Sequence, residues 1–159
     1  MLKKFHAPVV LGLAIAATVL TGCGGGDDTD DSQAADKYAG TWDIPCLTEG
    51  GNSANAVLTL SKSGANTLVG TSTLRVYGNA TCSGAPATSQ DYPASVTIEG
   101  TATVSGKNAE KVTETSFGET GKDVFLVEGN RLYSSPDEAP VDAQGYPTVL
   151  DLSRGAVRR

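Results

Sequence analysis

Histidine is almost missing from this chain: of 159 residues one is His, at position 6. Residues 7–159 therefore hold no imidazole to act as general base or metal ligand, which excludes Ser-His-Asp, Cys-His and His-metal arrangements there. Aromatics are scarce at 6%, with a single tryptophan, Trp42, so a platform of stacked rings is excluded. Basic residues are outnumbered, 12 against 18 acidic, for a net charge of −6. Phosphate-backbone binding needs clustered Lys and Arg, so no nucleic-acid partner is expected. A Walker loop is lacking too. Gly22-Cys23-Gly24-Gly25-Gly26 has neither the preceding strand nor the following helix of a dinucleotide site. No cofactor is expected.

Long apolar runs are also lacking. The uncharged stretch at residues 7–20 is short of the roughly 20 residues a membrane-spanning helix requires. It follows Lys3 and Lys4 and ends in small residues, the order of a secretory leader: basic, apolar, small. Leu20-Thr21-Gly22-Cys23 then stands where a leader would be cut.

Those four residues resemble the lipobox of bacterial lipoprotein precursors. The resemblance implies a signal peptide over residues 1–22, transfer of diacylglycerol to the Cys23 sulfur, and acylation of the new amino group. Membrane lipid, reached through acylated Cys23, would be one partner, because two or more acyl chains anchor stably without a transmembrane helix. Gly24 stands where the family's inner-membrane retention signal is Asp. The resemblance thus implies a bacterial cell-envelope location at the outer membrane. Cleavage would leave 10 basic and 18 acidic residues.

Residues 23–36 read as the lipidated Cys and a disordered, Gly/Asp-rich tether. Residues 24–36 offer no large apolar side chain whose burial would offset the entropy of ordering them. Asp27, Asp28, Asp30 and Asp31 lack the glycine and distal glutamate of a calcium loop, so no metal is expected.

From residue 37 the pattern turns to strands. Val96, Ile98, Ala102 and Val104 alternate with polar neighbours, and Leu68, Leu74 and Val76 share one parity. Such period-two alternation belongs to half-buried antiparallel strands. Strands are expected over residues 38–44, 56–61, 67–77, 95–104, 110–117, 122–128 and 131–135, with a last one at 148–152. Gly129-Asn130 reads as a two-residue hairpin. Residues 37–153 are thus expected to form a single all-β domain: a small antiparallel up-and-down barrel of seven or eight strands, with a β-sandwich as the alternative. Residues 136–147 read as an irregular loop and 154–159 as a flexible basic tail.

With Cys23 lipidated, Cys46 and Cys82 remain, and export favours a disulfide between them. Two free thiols are the alternative, or a metal site that would have to recruit carboxylates.

Gly40-Thr41-Trp42 resembles the opening of lipocalin-like and avidin-like barrels. The resemblance implies that Trp42 closes the barrel base beneath an arginine, with Arg131 and Arg75 as candidates. The Thr-Asp-Tyr motif of lipocalins and the several binding tryptophans of avidins are missing, so biotin is not the expected ligand. Ligand-facing candidates are Trp42, Tyr77, Phe125 and Tyr133. The expected function is non-catalytic binding of a small ligand or an envelope protein. The alternative is a periplasmic inhibitor or adhesin-type module, since small periplasmic protease inhibitors are distantly similar in their Gly-x-Trp strand and single disulfide. A two-carboxylate hydrolase would need two of Asp43, Glu49, Glu99, Glu110, Glu114 and Glu119 to face each other.

Overall fold

The computed structural model describes residues 34–159; the expected signal peptide, Cys23 and most of the expected tether lie outside the described residues. Eight strands follow one another around a closed antiparallel barrel. They are β1 (Gly40–Glu49), β2 (Asn52–Lys62), β3 (Thr67–Tyr77), β4 (Thr88–Val104), β5 (Lys107–Ser116), β6 (Glu119–Glu128), β7 (Arg131–Tyr133) and β8 (Ala156–Arg158). The barrel, rather than the sandwich, is the arrangement adopted, and no described residue is helical.

Local chemistry sets the turns. Gly50-Gly51, Ser105-Gly106 and Phe117-Gly118 each place two successive residues at positive φ between adjacent strands. Two such residues make the type I′ turn whose twist matches the strands it joins. At Gly129-Asn130 only the glycine has positive φ, 60°, so that hairpin is of the II′ kind.

The inward faces of the strands fill the core with Trp42, Leu58, Leu60, Leu68, Val96 and Val112. A second apolar cluster sits on the outer wall of β5 and β6. There Val124 and Leu126, which point away from the interior, are covered by Tyr146 and Leu150. This explains the first departure from expectation. Residues 148–152 form no strand, because Leu150 serves as a cover over that outer wall.

The second departure is at the C-terminus. Instead of ending in a flexible tail, the chain returns as β8 and closes the barrel, pairing Trp42 with Arg158 and Asp43 with Val157. On its other side β8 pairs Leu132 with Ala156. Arg159 adds a forked ion pair to Asp43, with contacts of 2.6–3.0 Å.

Cys46 and Cys82 are joined as a disulfide, with Cα atoms 5.9 Å apart. The bond ties the end of β1 to the β3–β4 loop.

Candidate functional site

The two ends of the barrel differ. At one end the chain enters through residues 34–39 and stops the interior. Trp42 is fully buried there, and its Nε1 donates to the Tyr38 carbonyl at 2.8 Å. The Arg158 guanidinium lies 4.2 Å over the Trp42 ring and donates to the Ala39 carbonyl at 2.7 Å and to the Lys37 carbonyl. The arginine over Trp42 is therefore Arg158, not Arg131 or Arg75. Gly40 makes room for it: a Cβ at that position would sit 3.1 Å from Arg158 Nη1. Tyr38 donates to the buried Glu110 carboxylate, which Lys37 also pairs, so this end carries its own neutralised charge. Burial and the Glu110 carboxylate both push the Tyr38 hydroxyl far above its usual range, keeping it protonated and donating.

The opposite end is open. A cavity of about 270 Å³ reaches into the barrel from that side. Its apolar wall includes Ile44, Leu58, Phe125 and Leu132. Its polar groups are Ser72 on β3, Glu114 on β5 and Asp123 on β6, with Asp137, Asp151 and Arg154 at the mouth. Arg154 is already bound to Asp151, 2.9 Å from Nε to the carboxylate, so the mouth is left with an excess of acid.

Strand register explains the convergence. Val112 pairs with Asp123 and Glu114 with Gly121, so Glu114 and Asp123 are diagonal neighbours on the inward face. Burial, and then the charge of Asp123, raise the Glu114 carboxyl to about 7. Burial also raises Asp123, against hydrogen bonds from Ser135 and from the backbone of Val124 and Ser135. Asp123 Oδ1 accepts from the Val124 N–H at 2.7 Å and the Ser135 N–H at 3.1 Å. Ser72 is 1% exposed, and its Oγ has no hydrogen-bond partner within the protein.

At the rim the tip of the β5–β6 hairpin carries Phe117 at φ 52°, a conformation bulky residues rarely adopt. Its ring meets Tyr92 edge-on at 5.9 Å and lines the cavity.

No family model, curated protein or solved structure matches the chain. The site therefore has to be argued from its own chemistry.

Of the four ligand-facing candidates, only Phe125 lines the cavity. Trp42 is the plug of the closed end. Tyr77 is buried beyond the lining, on the face of β3 opposite Leu68, Ser72 and Leu74. Tyr133 packs against the outer cluster. Sequence reasoning singled out neither Ser72 nor Asp123, and it could not select Glu114 among six acids. The signal that finds them is parity: once Val112 and Phe125 are placed inward, Glu114 and Asp123 must follow. Among the described residues no group of three or more His, Cys, Asp or Glu is placed to hold a metal ion.

Glu114 makes stability depend on pH. Its carboxyl binds a proton more tightly when folded than at its ordinary 4.5. The stabilisation is therefore complete below about pH 4.5 and is lost as pH rises towards about 7. That gap corresponds to roughly 3 kcal/mol, somewhat less for a carboxyl partly open to water. We expect Glu114→Gln to flatten this part of the curve and to be more stable than the parent by about 2–3 kcal/mol at neutral to mildly alkaline pH. Urea unfolding from pH 4 to pH 8 checks it; parallel curves for the two proteins would refute the assignment.

Proposed function

We propose that this protein is a membrane-anchored envelope lipoprotein whose barrel is a non-catalytic receptor for a small molecule. The observation that carries the binding half is the cavity of about 270 Å³, stopped at one end by Trp42 and Arg158 and open at the other. A cavity of roughly 150 Å³ already holds benzene, so a ring with a short substituent fits this one. The anchor half rests on the leader and the Leu20-Thr21-Gly22-Cys23 resemblance.

Two inward carboxylates also invite the hydrolase reading. Acid–base pairs work because their surroundings push the two groups apart, one protonated and one ionised. Here burial raises both Glu114 and Asp123, and two backbone N–H groups occupy Asp123 Oδ1. That arrangement favours binding over bond cleavage.

The test has two readouts. Labelled palmitate should enter the wild-type chain and not a Cys23→Ser chain; label in both or in neither would remove the anchor. Native mass spectrometry of the protein from its own cells should show a small adduct that Ser72→Leu, which fills the cavity, displaces. No difference between the two spectra would remove the receptor.

A further inference from the structure

We propose that the barrel cavity is selective for a small organic cation: an ammonium group held by the inward carboxylates of Glu114 and Asp123, an aromatic or aliphatic body against Phe125, Ile44 and Leu132, and a polar end reaching Ser72. The inference rests on the receptor reading and names its ligand class.

Two independent observations converge on it, and a third property follows from the second. The first is the unpartnered Ser72 hydroxyl. A buried polar atom without a partner is uncommon in a folded protein and calls for a group that completes it. Ser72 is 1% exposed, lines the cavity and has no protein partner for its Oγ, so a hydrogen-bonding group inside the barrel is what it lacks.

The second is charge. From β5, β6 and the segment after β7, the carboxyls of Glu114, Asp123, Asp137 and Asp151 converge on one cavity. The single basic lining group, Arg154, is held by Asp151. Low-dielectric walls concentrate such a field, so the mouth attracts cations and repels anions. An ammonium group, with three donors and no acceptor, matches carboxylate oxygens, whereas the one basic lining group an anion would meet, Arg154, already pairs with Asp151.

The third is the pH dependence that these carboxyls impose. Glu114 is held protonated up to near neutral pH by burial and by Asp123. A cation between the two carboxylates would reverse that effect, giving the ionised pair its counter-charge. Binding should therefore strengthen with rising pH and release a proton. The groups that face Glu114 in this titration are Asp123 on β6, Asp137, Asp151 and Arg154 at the mouth, and the Ser116 hydroxyl on its own strand.

Three probes of nearly one shape separate the ligand class from the receptor reading: tyramine (cation), para-ethylphenol (neutral) and para-hydroxyphenylacetate (anion). Each would be titrated into the full chain, with amide NMR shifts at Ser72, Glu114 and Phe125 locating the bound molecule. At about pH 8, tyramine is expected to bind at least tenfold tighter than para-ethylphenol, the size of one charge-assisted hydrogen bond. The anion is expected to bind weakest. Glu114→Gln should cut the ratio of tyramine to para-ethylphenol affinity to within about threefold, and lowering the pH to about 5.5 should do the same. Equal binding of tyramine and para-ethylphenol at these residues would overturn the cation class and leave the receptor. Preference for the anion, or a preference untouched by Glu114→Gln, would also overturn it. If none of the three shifts the cavity amides, both the class and the receptor reading fall.

Discussion

Trp42→Ala should lower the unfolding free energy by about 3–5 kcal/mol, the cost of removing a large buried aromatic. The side chain is completely enclosed, so its loss leaves a void at the stopped end of the barrel that neighbouring strands cannot collapse to fill. The indole does more than occupy space. It donates to the Tyr38 carbonyl and lies under Arg158, which in turn holds the Ala39 and Lys37 carbonyls. The entry segment, the first strand and the last strand therefore meet in one cluster. A double-mutant cycle of Trp42→Phe with Arg158→Ala isolates the ring–guanidinium contact, since phenylalanine keeps an aromatic face but weakens the attraction. A coupling of about 1–2 kcal/mol is expected for a partly desolvated pair. Coupling indistinguishable from zero in urea melts would mean that Trp42 acts by volume alone.

The same cluster marks where sequence stops being legible. That Trp42 would sit at a barrel base beneath an arginine came only from the resemblance of Gly40-Thr41-Trp42 to the opening of lipocalin-like and avidin-like barrels, which implies it. Which arginine was not readable, because the partner lies more than a hundred residues away and belongs to an element without a pattern. Ala156, Val157 and Arg158 are three residues between arginines and a glycine, too few for alternation to register. Their strand character comes entirely from the two edges they bridge. Residues 148–152 misled for the opposite reason: Val149 and Leu150 look like a strand, but Leu150 is buried against the outer wall of β5 and β6.

Inside the barrel, parity separates the candidate that lines the cavity from those that do not. Phe125 was legible because Val124 and Leu126 are flanked by residues of the opposite phase, and one set must face inward. Tyr133 follows Leu132, which takes the interior position, so the tyrosine is left outside. Parity brings Glu114 inward with Val112 and Asp123 inward with Phe125, but that the two acids are diagonal neighbours requires the pairing of Val112 with Asp123. Register is a property of two strands, and a composition scan along one strand does not contain it.

Removing the disulfide by Cys46→Ser with Cys82→Ser should cost about 4 kcal/mol, the chain-entropy value for a closed loop of this length. The loss should fall almost wholly on the unfolded state, because the β3–β4 loop has other ties to the barrel. Thr48 Oγ1 donates to the Ala80 carbonyl at 2.8 Å, and the Cys82 N–H donates to Ser53 Oγ at 2.8 Å. Both bonds survive the substitution, so the folded mouth should keep its shape. The denatured chain, freed of its cross-link, exposes more surface, and the urea m-value should rise as the midpoint falls. An unchanged m-value together with altered amide shifts at Ile44 and Phe125 would mean the opposite: that the bond holds the mouth open in the folded protein rather than restricting the unfolded one. The distinction matters for binding, because Ile44 lies two residues before Cys46 and lines the cavity. If the cross-link acts only on the unfolded chain, the serine variant will be less stable yet take up the tyramine probe as tightly as the parent.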